Sequence, residues 1–188
     1  MDSRAVFPDH LIRDYDLFPL LGEEELGRRV RQMSEHISHD YKDKNPILLC
    51  VLKGAYVFCS DLSRAMTIPH EMEFVKLSSY QGQQSSGEVK EHLLPHLSAD
   101  RPVIIVEDIA DTGTTIKYLA ERLRELGVQD LRVATLLRKP DQYKVEEGIA
   151  YVGFDIANRF VVGYGLDYMG YGRGLRAVYE MIDKNLGR

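Results

Sequence analysis

Two unbroken apolar runs, Ile47-Leu48-Leu49-Cys50-Val51-Leu52 and Val103-Ile104-Ile105-Val106, stand out in this chain. Runs of this length predict strands buried on both faces, as in the interior of a parallel sheet. Each is followed by a small-residue turn and then by apolar positions at helical spacing. After the first these are Tyr56, Phe58, Cys59, Leu62, Ala65 and Met66; after the second, Ile116, Leu119, Ala120, Leu123 and Leu126, up to Gly127. Upstream, Leu26, Val30, Met33, Ile37 and Tyr41 form one stripe of a helix that opens on Glu23-Glu24-Glu25, acids suited to its positive end, and stops near Asn45-Pro46. A period of two predicts strands over 72–79 and 131–137, and short apolar clusters predict two more at 151–154 and 160–164. Residues 1–22, broken by Pro8, Pro19 and Gly22, predict only an irregular or edge segment laid over the core. Strand, turn and helix in repeated order predict an α/β fold, a central and mostly parallel sheet flanked by helices. Its ligand crevice lies beyond the carboxyl ends of the strands.

Composition narrows the partners. The 188 residues, 44% hydrophobic, suffice for one well-buried core and are few for two, so a single domain over 1–188 is expected. A formal charge of −5, from 24 basic and 29 acidic residues, argues against coating nucleic acid or an anionic membrane by bulk electrostatics. Any bound anion must be met locally. The first 18 residues carry Asp2, Arg4, Asp9, Arg13, Asp14 and Asp16 and no continuous apolar run, unlike a signal peptide or a membrane span. Cys50 and Cys59 fit no disulfide framework or zinc spacing and read as buried thiols of a reducing compartment. The expected location is the cytoplasm.

The chemistry gathers where strands end. The run 103–106 leads into Glu107-Asp108 and then Asp111-Thr112-Gly113-Thr114-Thr115 at a helix start. Hydroxyls and helix-start amides there can wrap a phosphate, and the two acids are acceptors suited to ribose hydroxyls. Neither a Gly-x-x-x-x-Gly-Lys-Ser/Thr loop nor a Gly-x-Gly-x-x-Gly turn is present, which disfavours ATP hydrolysis and NAD chemistry. Lys53-Gly54 either presents a cation and close amides to a phosphate or simply makes a sharp turn. The Gly/Ser/Gln-rich stretch 79–87, with Tyr80, predicts a mobile loop that is a lid or an exposed hairpin. His36 and His39 lack a third ligand and Pro95 spoils the register of His92 and His96, so neither pair predicts a metal site.

From 103 to 116 the order of a hydrophobic strand, two acids, two apolar residues and Asp-Thr-Gly-Thr-Thr resembles the signature of the phosphoribosyltransferases. Leu52-Lys53-Gly54, Ser79-Tyr80, Lys139, and Phe160 through Asp167 with Arg173 follow in the order of the hypoxanthine-guanine branch. The resemblance implies the type I phosphoribosyltransferase fold, with a small hood from about 1–22 and 150–188. It implies transfer of the phosphoribosyl group of 5-phosphoribosyl 1-diphosphate to N9 of hypoxanthine or guanine, giving IMP or GMP and diphosphate.

Carried over by position, the resemblance implies that Asp111, Thr112, Gly113, Thr114 and Thr115 hold the 5-phosphate and that Glu107 and Asp108 bind the ribose hydroxyls. Lys53, Gly54 and Arg173 face the diphosphate, with Ser79 and Tyr80 closing over it. The resemblance likewise implies that Lys139 donates to the purine 6-oxo group, that Phe160 stacks on the ring, that Val161 and Asp167 read its other edge, and that Asp111 shares the N7 proton as general base. Magnesium is the implied cofactor, near Glu107, Asp108 and Asp167 and partly held through water. The implied partners are the diphosphate substrate and a 6-oxopurine, with no nucleic acid or membrane, in a homodimer or homotetramer. In the family the peptide matching Leu52-Lys53 can be cis. Thr114 stands where some relatives carry Lys, which removes a charge from the phosphate loop but keeps the amide. The alternative is a non-catalytic protein of the same fold that senses the diphosphate substrate; the presence of Asp111, Lys139, Phe160, Asp167 and Arg173 together favours the enzyme.

Overall fold

The two apolar runs become neighbouring strands at the centre of a sheet. The computed structural model describes residues 3–79, 89–93, 95 and 97–185. A 3₁₀ turn (Ser3–Val6) and a short helix α1 (Asp9–Ile12) lead into β1 (Tyr15–Leu21). Then follow α2 (Glu23–Asp40), β2 (Ile47–Leu52), α3 (Tyr56–Ala65), β3 (Glu71–Ser79), β4 (Val89–Leu93), β5 (Val103–Ala110) and α4 (Thr114–Glu125). The chain finishes with β6 (Leu131–Arg138), β7 (Tyr151–Asp155), β8 (Val161–Val162) and β9 (Val178–Asp183).

Among the described residues β4-β3-β2-β5-β6-β7 form a six-stranded sheet, parallel except for the antiparallel β3–β4 pair at one edge. Alternate side chains of its central strands serve two cores. Leu48, Cys50, Ile104 and Val106 pack with Val30, Met33 and Ile37 of α2 and Phe58 and Leu62 of α3. Ile47, Leu49, Val51, Val103 and Ile105 pack with Ile116, Leu119 and Leu123 of α4. Because both faces are covered, no position in these runs is free to be polar, and each fully buried Leu or Ile contributes about 1.5–3 kcal/mol. A charge at Ile105, which is 0% exposed, would sit unpaired between the sheet and α4. At the other edge, Arg29 of α2 donates to the carbonyls of Gly153 (2.8 Å) and Val152 (2.6 Å) of β7, satisfying groups that an edge strand leaves open. Cys50 and Cys59 are free and buried.

Four expectations are corrected. Helix α2 stops at Asp40, not near Asn45-Pro46, because the chain turns through positive φ at Asp43 (64°) and Asn45 (46°), residue types that tolerate it. The N-terminal segment is not merely irregular: β1 pairs antiparallel with β9, from Tyr15↔Asp183 to Leu21↔Val178, and with β8 they form a second, three-stranded sheet. Pro19 disguised β1, and its register shift falls there, as expected for an edge strand. Strand β9 was not anticipated. The strand expected over 160–164 shrinks to Val161–Val162, since Gly163, Tyr164 and Gly165 take φ of 100°, 49° and 101°. The hood limit near residue 150 also moves, because Tyr151–Asp155 belongs to the large sheet. Under the small sheet Phe7, Ile12, Val162, Leu175 and Met181 form a core of their own.

Candidate active site

Strand β5 carries its acids further than the apolar run suggested. It continues through Ala110, with Glu107 opposite Thr135 and Ala110 opposite Arg138 of β6. The turn that follows places Gly113 at the N-cap of α4 with φ 86°, a conformation in which a Cβ would crowd Val145 and Tyr143. Lys117 makes the first intrahelical bond, to the Gly113 carbonyl at 2.9 Å, so the amides of Thr114, Thr115 and Ile116 have no helical acceptor. No acid occupies the first turn of α4. The Thr112 and Thr114 hydroxyls stand 3.0 Å apart at the mouth of a cleft of about 70 Å³, lined by Glu107 and residues 109–116. Amides, hydroxyls and the positive end of a helix suit this cleft chemically to an anion.

The two acids lie side by side, their carboxyls within hydrogen-bonding reach of each other, but their surroundings differ. Glu107 is buried and lines the cleft before α4, and its Oε2 has no hydrogen-bond partner among the described residues. Burial, then the neighbouring Asp108 charge, pushes its carboxyl well above the ordinary range. Asp108 turns towards Gly54, where a Cβ would overlap its carboxylate, and accepts from the Ile109 amide at 2.9 Å. Burial raises Asp108 too, opposed in part by hydrogen bonds and the charge of Arg173. The Leu52-Lys53 peptide is cis, and Lys53 is exposed at the head of this turn.

The loop after β8 reaches the same turn. Gly165 approaches so closely that a Cβ there would overlap the Gly54 carbonyl. Arg173 donates to the Gly165 carbonyl at 2.7 Å and pairs with Asp167 at 2.6 Å, and the Gly170 amide donates to the other Asp167 oxygen at 2.6 Å. Tyr164 donates to Asp61 of α3 at 2.6 Å, tying this loop to the helix that follows Lys53-Gly54. Lys139, only 8% exposed, extends its ammonium to Asp111 at 2.8 Å across the carboxyl ends of β5 and β6. Phe160 is 52% exposed and meets Tyr168 edge-on.

The structure thus brings Glu107, Asp108, Asp111 and the residues through Thr115 to one end of β5, with Lys53-Gly54, Arg173 and Asp167 on one side and Lys139 on the other. The closing loop expected over 79–87, with Tyr80, lies outside the described residues beyond the backbone of Ser79. Among the described residues no group of three or more His, Cys, Asp or Glu is arranged to hold a metal ion. Sequence reasoning missed Asp61, Tyr15 and the close approach of Gly165. Only the glycines flanking Tyr164 hinted at the last, as a place where backbone meets backbone.

Residues 20–169 match the phosphoribosyl transferase domain family. The chain is 44% identical over 158 residues to the hypoxanthine-guanine phosphoribosyltransferase of Mycobacterium tuberculosis, covering 79% of this chain and 78% of that relative. The solved hypoxanthine phosphoribosyltransferase of Staphylococcus aureus has a TM-score of 0.84 at 35% identity, over 90% of this chain and 93% of that one. The enzyme from Trypanosoma cruzi, solved with its product IMP, has a TM-score of 0.80 at 36% identity, over 89% and 94% of the two chains. With the type I fold and this degree of likeness, the chain belongs to the phosphoribosyltransferase family, in its hypoxanthine-guanine branch.

Proposed function

We propose that this protein transfers the 5-phosphoribosyl group of 5-phosphoribosyl 1-diphosphate to N9 of hypoxanthine or guanine, forming IMP or GMP and releasing diphosphate. The carrying observation is the Lys139–Asp111 pair, a buried cation and a half-exposed carboxylate 2.8 Å apart beside the anion cleft. The cation donates to a 6-oxo group and meets only a donor in adenine's amino group, which selects against adenine. The carboxylate takes the N7 proton. As the bond from C1 to the diphosphate oxygen breaks, positive charge grows on the sugar and the N9 lone pair closes on C1. Lys53 and Arg173 meet the negative charge of the departing diphosphate, and the turn 111–115 holds the 5-phosphate still.

Asp108, Asp167 and Glu107 offer the hard oxygen donors that magnesium takes, usually one or two carboxylates with substrate phosphates and water rather than an all-protein cage. The ion supplies charge neutralisation at the diphosphate. The two free buried thiols suit work in the cytosol, and no described helix is long and apolar enough to cross a membrane. Likeness to the branch supports a homodimer or homotetramer.

Incubation with 5-phosphoribosyl 1-diphosphate, magnesium and each of hypoxanthine, guanine and adenine, read by chromatography, tests the reading. IMP and GMP form and AMP does not; failure to form either 6-oxopurine nucleotide rejects it. Asp111→Asn lowers turnover about 100-fold or more. Near wild-type turnover in that variant would remove Asp111 from the chemistry.

A further inference from the structure

A half-exposed aromatic ring makes a good stacking surface only if something fixes its orientation, because ordering it on binding weakens affinity. The Phe160 ring has such a support. Tyr168 meets it edge-on, with ring centroids 5.8 Å apart and planes at 85°. Tyr168 is itself held from two directions. It exchanges both backbone hydrogen bonds with Tyr171, at 2.9 and 3.0 Å, closing the turn beside Asp167. Its ring lies against Tyr15 with centroids 5.3 Å apart, and its hydroxyl donates to that of Tyr15 at 3.3 Å. Tyr15 opens β1 and is anchored by pairing with Asp183 of β9 and by the small core under that sheet.

We propose that Tyr168, backed by Tyr15, is the positioning residue that holds the Phe160 ring for the purine, so that the N-terminal strand takes part in base recognition. This rests on the reading of Phe160 as the stacking surface. Edge-to-face contact requires the ring of Tyr168 and not its hydroxyl.

Steady-state kinetics on the full chain separate the possibilities. Tyr168→Leu raises KM for hypoxanthine about three- to tenfold, the range such ring pairs support, with KM for 5-phosphoribosyl 1-diphosphate and kcat unchanged. Tyr168→Phe restores wild-type behaviour. Tyr15→Leu, which leaves the 168–171 turn intact, moves KM for the base in the same direction and serves if Tyr168→Leu folds poorly. Phe160→Leu also raises KM for the base, and adding Tyr168→Leu to it has no further effect, because Tyr168 acts through that ring. Additive effects in the double variant, or equal rises in both KM values, would overturn the proposal while leaving the transferase reading intact. An unchanged KM for the base in Phe160→Leu alone would overturn both the proposal and the stacking role.

Discussion

Groups suited to the 5-phosphate lie on one turn, 111–115, between β5 and α4, whereas groups suited to the base are scattered from Lys139 to Asp167 and propped by Tyr15, 153 residues from Tyr168. The phosphate end is made largely of backbone: amides at a helix start, a glycine that must take positive φ, and short hydroxyl side chains. The base end is made of long side chains whose positions depend on packing, such as Lys139 threaded to Asp111 and Phe160 leaning on Tyr168. A backbone site carries its own rigidity. A side-chain site borrows it from elements distant in sequence, so the two halves should fail under different substitutions.

The largest effect is expected where the halves meet. In Gly54→Ala the new methyl would overlap the Asp108 carboxylate, displacing the turn or the acid, and kcat/KM should fall by about 100-fold or more with the far-ultraviolet circular dichroism unchanged. A near-normal rate would mean that this close approach does not matter to the reaction. Lys139→Gln comes next. It should lower kcat/KM for hypoxanthine about 10- to 100-fold and leave the Kd of 5-phosphoribosyl 1-diphosphate, measured by calorimetry, within about threefold. An equal loss of both would show that the halves are not separable.

Glu107→Gln should act on stability and affinity in opposite directions. It replaces a buried carboxyl with an unpartnered oxygen by a neutral amide, so the ligand-free protein should gain about 1 kcal/mol, seen as a higher Tm, while the diphosphate substrate binds more weakly. A lower Tm would indicate that Glu107 is well satisfied without ligand. The smallest effect belongs to Arg138→Ala. Its pair with Asp155, at 2.7 and 3.0 Å, is on the surface, so denaturant titration should show a loss of no more than about 1 kcal/mol and kinetics should not change.

The same contrast explains what could be read from the chain. Ile47–Leu52 and 103–106 announced themselves because burial on both faces leaves an unbroken apolar run, and the phosphate turn followed because its chemistry is contiguous. Strand β1 was hidden by Pro19, and β9 carries no pattern that names its partner at the far end of the chain. Glu107 and Asp108 were visible as a pair, but the burial of Glu107 and the close approach of Asp108 to Gly54 depend on elements packed around them from elsewhere in the chain. Phe160 could be picked out from its motif; that Tyr168 and Tyr15 brace it depends on a small sheet joining the two ends of the chain.

The most direct test is a crystal structure with IMP and magnesium. The account predicts the 5-phosphate on the amides of residues 112–115, the purine against Phe160, and the Lys139 ammonium moved from Asp111 to the 6-oxo group. A nucleotide bound with its phosphate in that turn but its base out of reach of Lys139 and Phe160 would contradict it.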